Sequence, residues 1–317
     1  MTPEDEVTDV RLEVLSGLFT EDLPGLQEMA SKVRQRFFGK RISFYTKPYT
    51  PVSVTGSSCE LSCRHCNRHY LEHMEKANDG KELSKLLHSL SKKGVSGVVL
   101  SGGSRADGSV PTYDYAAEAK KAKKKGLRIN AHTGIVSKKQ AKQLSGFLDA
   151  ALTDVIGDKE TVKEILGLDY GPQDYKKTLE HLRDAGIKNL SPHIIVGLYH
   201  GKIRGELNAL NMLRETDPDN IVIVVFIPTK GTGMQDDKPP AVEEVAKIIA
   251  IARILYPAKN ISLSCVRPGG RYRSSLDAQA IRSGVNKIAV PSKAAYKTAE
   301  ELGLAIDEIK ESRCCSW

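Results

Sequence analysis

Eight short runs of apolar and β-branched residues alternate along this chain with longer amphipathic segments, and this alternation constrains the fold more than any other feature. The runs lie at 52–56, 97–101, 127–132, 152–157, 190–197, 221–227, 261–265 and 285–290. Segments with helical periodicity separate them, as at 113–125, 174–185 and 242–256. Eight strands that alternate with helices are typical of a (β/α)8 barrel of the TIM type, so the sequence predicts an α/β fold.

The regions outside this alternation predict a helical extension at one end and a tail at the other. Residues 1–45 should be mostly helical, because five apolar residues recur there at helical spacing: Leu23, Leu26, Met29, Val33 and Phe37. Residues 46–304 form the predicted barrel, and residues 305–317 form the tail. An extended segment at 305–312 would span roughly 26 Å at about 3.3 Å per residue. The tail is therefore expected to return to the active-site face of the barrel.

Composition limits the class of protein. With 317 residues and 40% hydrophobic content the chain can bury a large core. Its first residues carry acids rather than a basic apolar leader, and no apolar run approaches the roughly 18 residues of a membrane span. A soluble, cytoplasmic protein without a membrane partner is expected, and its 6 cysteines should be reduced metal ligands rather than disulfides.

The net charge of +8 bears on the partners of the chain. The basic residues are dispersed, apart from a run at 120–125 that fits the solvated end of a helix. An aromatic content of 6% offers little surface for stacking on bases. No nucleic-acid partner is therefore expected, whereas an acidic protein partner is compatible with the charge.

Three cysteines with the spacing C-x3-C-x2-C follow the first strand-like run, at Cys59, Cys63 and Cys66. Thiolates suit iron–sulfur clusters and zinc alike. Three cysteines fill three corners of a four-iron cube and leave one iron free to bind a small molecule, so the motif predicts a catalytic site. The alternative is a structural zinc site completed by His65 or His69, although the second cysteine pair usual for zinc does not follow nearby.

Further candidate residues follow the C-terminal ends of the predicted strands, where such barrels carry their functional groups. The candidates for cofactor binding are Ser101, Gly102, Gly103, Ser104, His132, Asp158, His193, Gly197 and Pro228. Paired glycines let a backbone approach a ligand closely, but after a strand they are often only a turn. Asp158 precedes a predicted helix, so it can serve as a cap or as a ligand. Lone histidines at such positions are often structural.

The remaining cysteines predict a second iron–sulfur cluster. Cys265 ends the seventh run, whereas Cys314 and Cys315 lie in the tail, which can reach the same end of the barrel. In the alternative interpretation, Cys265 is a small core residue and the terminal pair is disordered. The fourth ligand of this cluster stays open between an exogenous group and the side chains of Ser316, Arg267 and Arg271.

The cysteine motif resembles the signature of the radical S-adenosylmethionine (SAM) enzymes. The resemblance implies that the three cysteines ligate a [4Fe-4S] cluster whose open iron binds S-adenosyl-L-methionine, with His65 against the adenine. The segment 101–104 looks like the Gly-Gly-Glu element that holds the amino group of the cofactor, with Ser104 in place of the acid. The segment 192–198, which includes His193 and Gly197, resembles the glycine element that flanks the adenine.

The segment 265–273 and the terminal cysteine pair extend the resemblance to the biotin synthase-like branch of that superfamily. Within it, the chain from Arg41 onward is most similar to the two-protein lipoyl synthase of archaea and some bacteria. This implies a sulfurtransferase with two [4Fe-4S] clusters, one of which donates a sulfur to an octanoyl or mercapto-octanoyl chain on a protein lysine. The implied partners are a lipoyl-carrier protein or domain, the partner lipoyl synthase component and a reductant such as ferredoxin.

Two other functions fit the same residues. One is a mutase or cofactor maturase of the same branch, without sulfur transfer. The other is a non-enzymatic iron–sulfur or zinc protein. The chain also departs from classical lipoyl synthase, because no cysteine precedes Cys59.

Overall fold

The structure, a computed structural model, describes residues 3–311 and residue 313, with side chains described from Leu12 onward. The predicted tail cysteines Cys314 and Cys315, and with them Ser316, lie outside the described residues. No helix among the described residues is long and apolar enough to cross a membrane.

Two helices and a strand occupy the predicted N-terminal extension. Helix α1 spans Pro3–Thr20 and helix α2 spans Leu23–Phe38. The carboxylate of Asp22 caps α2 by accepting a hydrogen bond from the backbone N–H of Gly25. Strand β1, Arg41–Tyr45, follows directly and had no counterpart among the predicted strand runs.

The remaining chain alternates strands and helices as the sequence predicted. The strands are β2 Thr50–Ser53, β3 Glu75–Lys76, β4 Gly97–Ser101, β5 Arg128–His132, β6 Ala150–Asp154, β7 Leu190–Val196, β8 Asn220–Val225, β9 Asn260–Leu263, β10 Lys287–Ala289 and β11 Ala305–Ile309. The helices are α3 Gly80–Lys92, α4 Ala116–Lys124, α5 Lys138–Ser145, α6 Lys159–Thr161, α7 Pro172–Asp184, α8 Glu206–Leu213, α9 Val242–Leu255, α10 Gly270–Arg282 and α11 Lys293–Glu301. Short 3₁₀ helices span His69–His73 and Pro111–Tyr115, and a π-helical turn spans Val162–Leu166.

All strands join one parallel sheet in the order β11-β1-β10-β9-β8-β7-β6-β5-β4-β2-β3. The eight predicted runs correspond to β2 and to β4 through β10. The sheet is curled, because Tyr45 of β1 packs in one cluster with Val222 and Val224 of β8, three strands away. The predicted α/β class and TIM-type architecture are therefore confirmed.

The two faces of the curled sheet bury different side chains. Ile221, Ile223 and Val225 of β8 pack in the cluster that includes apolar residues of α9. Val222 and Val224 alternate with them along the strand and therefore point to the opposite, inner face. We call the apolar group on that face the inner cluster; its members are Tyr45, Val222, Val224 and Ala289, with the partly buried Ile195, Cys265 and Ile309.

Strand β11 brings the C-terminal segment back to the ends of the strands where the cysteine motif lies. It pairs in parallel with β1, so both strands run toward the same end of the sheet. Beyond the paired residues, the backbone N–H of Thr46 donates a hydrogen bond to Ile309 O, and the backbone N–H of Arg313 donates one to Lys47 O. Residues 305–309 are thus extended, as predicted, and the described chain ends at the C-terminal end of β1.

Candidate functional site

The three cysteines of the motif lie in the loop between β2 and the short helix His69–His73. All three are half-buried free thiols. Cys63 and Cys66 share a tight turn, in which the backbone N–H of Cys66 donates to Cys63 O over 3.2 Å. The sulfur of Cys59 instead lies 3.3 Å from the backbone nitrogen of Ser104, which donates to it. The loop after β4 therefore positions the first cysteine, and the turn positions the other two.

Close approach between two loops explains the glycine at position 103. Its backbone N–H donates to Thr55 Oγ1 over 2.7 Å. A Cβ atom at this position would lie 2.0 Å from Ser58 O and 2.5 Å from the Cα of Cys59. Only glycine allows this contact without displacing the backbone that carries the cysteine. The sequence pattern of paired glycines therefore has a structural reason here, whatever ligand the loop binds.

A cavity of about 220 Å³ opens in front of the cysteines. The sequence-predicted residues that line it are Cys59, Cys63, His65, Cys66, Ser101, Gly102, Gly103, Ser104 and His132. Asp154, Tyr70 and Tyr175 also line it and were not predicted. The structure thus brings the cysteine motif, the 101–104 loop and the end of β5 to one cavity.

The environment of Cys63 and Cys66 does not by itself favour thiolates. Burial raises the pKa of Cys63 to about 12, and the neighbouring Cys66 and Cys59 raise it further in the same direction. Burial also raises the pKa of Cys66. A bound cation reverses this preference, because it stabilises the thiolate directly. Three neighbouring thiols, of which Cys63 and Cys66 have raised pKa values, are suited to metal ligation rather than to service as a free nucleophile.

The spacing of the three sulfurs helps to separate a cluster from a zinc ion. Among the described residues, only His69, Glu72 and His73 bring three candidate ligand atoms within 4.8 Å of one another. At least one pair of the cysteine sulfurs is therefore farther apart than that. Tetrahedral ligation of one zinc at about 2.3 Å would require all three sulfurs within roughly 4 Å of each other. The geometry fits ligands that bind separate irons of a cluster.

His132 and Asp154 lie at the ends of β5 and β6, and both line the cavity. Burial lowers the pKa of His132 and raises that of Asp154, although each partner partly offsets the shift of the other. Burial thus disfavours the charged form of each group, and both side chains can form hydrogen bonds with a polar ligand.

Asp154 was missed because the fourth predicted run was placed at 152–157. The strand in fact ends at Asp154, so this residue occupies the functional strand end. Asp158 caps α6 instead, accepting hydrogen bonds from Thr161 N at 2.8 Å and from Arg204 Nε at 2.8 Å. Its carboxylate is committed to the cap and to Arg204.

The other predicted residues lie beside the cavity rather than in its lining. His193 packs on His132 with ring centroids 5.4 Å apart, and burial lowers its pKa to about 3. Gly197 donates its backbone N–H to Glu206 Oε1 over 2.7 Å, which closes the loop after β7. Pro228 is half-buried in the loop after β8.

The region of the predicted second cluster is described only at Cys265. Its half-buried side chain packs against the inner cluster, and its backbone carbonyl accepts a hydrogen bond from Arg273 Nη2 over 3.0 Å. Arg267 is fully buried and its guanidinium pairs with Asp277 at both Nε and Nη2. It also donates to the carbonyls of Ser264, Ala289 and Val290. This commitment argues against Arg267 as a cluster ligand, and Arg271 is exposed.

A network of charged side chains fastens the cysteine loop to the loops around it. Arg64 Nη1 lies 3.1 Å from Glu164 Oε1, and the same carboxylate oxygen is 2.9 Å from Nε2 of His200. His200 Nδ1 is 2.8 Å from Asp237 Oδ2. The network joins four segments that are distant in sequence, so no sequence pattern indicated it.

Replacing His200 by asparagine should remove a pH-dependent part of the stability. Hydrogen bonds to Glu164 and then to Asp237 raise the pKa of His200 above its ordinary value of about 6.5. The stabilisation is therefore complete below about pH 6.5 and is lost as the pH rises through the folded-state pKa. We expect the difference in melting temperature between the wild type and His200→Asn to shrink from about pH 6 to about pH 9.

Asparagine is the appropriate substitute, because the backbone of His200 has a φ of 52°, in the left-handed region that asparagine tolerates. His88→Asn, in the exposed face of α3, is the matched control and should show no such narrowing. A difference for His200→Asn that stays constant or widens toward high pH would contradict this role for the imidazolium.

Comparison with known proteins agrees with this geometry. A model of the Radical SAM superfamily matches residues 53–204, which include the cysteine loop and the cavity lining. A model of the Biotin and Thiamin Synthesis associated domain matches residues 209–311, which include Cys265 and β11. The two matched regions follow each other along the chain.

Two named relatives are similar to this chain in sequence, and one solved structure is similar to it in fold. The mitochondrial biotin synthase of Arabidopsis thaliana is 31% identical over 169 residues, 51% of this chain and 43% of that protein. The chain thus spans less than half of that relative. A biotin synthase of Escherichia fergusonii is 26% identical over 87% of this chain and 80% of its own length. The crystal structure of methylornithine synthase (PylB) shares the fold, with a TM-score of 0.68 at 17% identity over 96% of each chain.

The curled parallel sheet and the cysteine motif at the cavity agree with these matches. Residues 53–204 of this chain match the Radical SAM superfamily, residues 209–311 match a Biotin and Thiamin Synthesis associated domain, and over most of its length the chain is similar to biotin synthases.

Proposed function

We propose that this chain is a radical SAM sulfurtransferase, one component of a two-protein lipoyl synthase that adds one sulfur to a protein-bound octanoyl or mercapto-octanoyl chain. Its cofactors would be S-adenosyl-L-methionine and two [4Fe-4S] clusters. Bound together, the first cluster and the cofactor supply the radical that removes hydrogen from an unactivated carbon. Its partners would be a lipoyl-carrier protein or domain, the second synthase component and a reductant such as ferredoxin.

The cavity supports the cofactor part of this proposal. Cys59, Cys63 and Cys66 would hold the first cluster, since their spacing and chemistry fit iron better than a single zinc. The Nδ1 atom of His65 is buried and has no hydrogen-bond partner among the described residues. Burial lowers the pKa of His65 to about 4, so the ring is neutral and can bond to a ligand such as a purine.

His132 and Asp154 would bind the polar part of the cofactor from the opposite side of the cavity. Burial lowers the pKa of His132 and raises that of Asp154, and side chains of these two types can form hydrogen bonds with the hydroxyl groups of a ribose. Gly103 would let the backbone of the 101–104 loop approach the same ligand closely, beside the sulfur of Cys59. These contacts would orient the cofactor and exclude water from the reacting atoms.

The inner cluster is the observation that carries the sulfur-insertion part of the proposal. Its side chains form an apolar wall on the inner face of the sheet, with Cys265 among them. Such a wall suits an alkyl chain, whose burial contributes about 0.8 kcal/mol per methylene. A sulfur donor held by Cys265 would then lie next to the hydrocarbon that receives the sulfur.

The course of the tail supports two further ligands for that donor. Strand β11 runs toward the end of the sheet where the cysteine loop lies, and the hydrogen bond from Arg313 N–H to Lys47 O holds the chain there. Cys314 and Cys315 follow Arg313 directly in the sequence. We propose that they and Cys265 ligate the second cluster, with Ser316 or an exogenous group as the fourth ligand.

Product analysis tests the proposal. Anaerobically reconstituted protein should contain about eight irons per chain, the sum of two four-iron clusters. Incubation with an octanoyl-lysine peptide, S-adenosylmethionine, the partner synthase and a strong reductant should yield peptide that has gained sulfur, detected by mass spectrometry. Cys265→Ala should retain deoxyadenosine formation and lose the sulfur gain.

The same assay separates the alternative functions. About four irons per chain, with deoxyadenosine but no sulfur gain on either octanoyl or mercapto-octanoyl peptide, would refute sulfur insertion and favour a mutase or maturase. Zinc without sulfide would refute both enzymatic functions.

A further inference from the structure

The short helix His69–His73 carries a group of metal-binding side chains separate from the cysteines. One ligand atom each from His69, Glu72 and His73 lies within 4.8 Å of the others. Nδ1 of His69 is 3.7 Å from Oε2 of Glu72, and the imidazoles of His69 and His73 have centroids 5.2 Å apart. Glu72 and His73 are exposed and His69 is partly so.

We propose that His69, Glu72 and His73 bind a zinc ion, with water in the remaining coordination position. Two imidazoles and one carboxylate are a zinc ligand set in proteins, with bonds of about 2.0–2.2 Å. Ligand atoms of a tetrahedral zinc then lie roughly 3.4 Å apart, so these side chains need to move by about 1 Å or less each. Exposed side chains can make such changes by small rotations.

The position of the group on its helix gives the ion a structural consequence. Leu71 is buried, and it lines the cysteine cavity together with Tyr70. The three ligands belong to the same short helix of 5 residues, so their ion would stiffen the wall that carries Tyr70 and Leu71. This segment begins just after Arg68, whose backbone has a φ of 66°, and a left-handed residue at that point is costly for most side chains. A zinc ion would help to hold the chain in that conformation.

The proposed site differs from a zinc site made by the cysteines. His69 was a candidate partner of Cys66 in the sequence, but no cysteine belongs to the group of ligand atoms that the structure brings within 4.8 Å, in the part of the chain that it describes. The site is also independent of the proposed catalytic function, because its ligands do not line the cavity.

Metal titration of the iron-loaded protein tests the proposal. With the cysteines occupied by iron, equilibrium dialysis against zinc followed by metal analysis should give one zinc per chain beyond the iron. His73→Ala should weaken this binding at least about 10-fold, the lower end of what even an outer-shell partner contributes. His88→Ala, which removes an exposed histidine on α3, is the matched control and should leave the affinity unchanged.

A second probe removes the ambiguity that thiols introduce. In a variant with all six cysteines replaced by serine, Co²⁺ should still bind, without the sulfur-to-metal charge-transfer absorption of thiolate ligation. Addition of His73→Ala or Glu72→Gln to that variant should abolish the remaining Co²⁺ spectrum. Equal zinc binding by the wild type and His73→Ala, or no zinc beyond the iron content, would overturn the proposal.

Discussion

Cys63→Ala should abolish cleavage of S-adenosylmethionine, with deoxyadenosine formation falling by at least about 10³-fold. Loss of one of three iron ligands removes the site itself, so the effect should exceed the roughly 10- to 100-fold cost of losing an outer-shell partner of a metal. Cys63 is the central ligand of the turn, and its thiol has a pKa raised to about 12 by burial in the absence of a cation. Chromatography of the reaction products and iron analysis of the reconstituted variant measure the two effects together.

Cys265→Ala provides the control with the same chemical change. Cys265 is also a half-buried free cysteine, but it packs in the inner cluster rather than in the cavity lining. Its alanine variant should keep deoxyadenosine formation within a few-fold of the wild type and lose about half of the iron if it ligates a second four-iron cluster. If Cys63→Ala cleaved S-adenosylmethionine as fast as the wild type, that result would contradict the assignment of the motif to the cofactor-binding cluster.

The fold was predictable because its signals are local. Each barrel strand is a short apolar run bounded by polar residues, and each barrel helix has its own periodicity, so eight strands could be counted without knowing their order. The cysteine motif could be recognised in the sequence for the same reason, since a single loop supplies all three thiols. The predicted link between strand ends and functional residues led from that motif to the 101–104 loop and to His132, which line the same cavity.

The features of the structure that the sequence did not predict have physical causes. The sequence did not indicate Asp154 as a strand end, because a buried parallel strand gives a continuous apolar run without a signal at its last residue. The apolar residues Val155 and Ile156 extend the run beyond the end of the strand. Strand β1 was missed because its pairing with β10 and β11 depends on residues more than 240 positions away along the chain. The bonds from His200 to Glu164 and Asp237 depend on tertiary structure in the same way.

The buried pair of Arg267 and Asp277 explains how the Cys265 region keeps its shape. Both side chains are 0% exposed, and their charged atoms approach to 2.8 Å. Arg267 bonds to the carbonyl of Ser264, directly before Cys265, and to Ala289 O at the end of β10. Asp277 in turn accepts the backbone N–H of Ser292 over 2.8 Å. One ion pair thus fixes the ends of two neighbouring strands to helix α10.

Asp277→Asn should lower the free energy of unfolding by about 3–5 kcal/mol, because it leaves the charge of Arg267 buried without its partner. Urea unfolding of the apoprotein, followed by circular dichroism, measures the change. Glu301→Gln is the matched control: its partner Arg282 lies 2.9 Å away, but the two side chains are 45% and 39% exposed. A surface pair of this kind contributes at most about 1 kcal/mol. If Asp277→Asn proves no more destabilising than Glu301→Gln, the buried pair does not hold this region together, and the position of Cys265 must depend on the packing of the inner cluster alone.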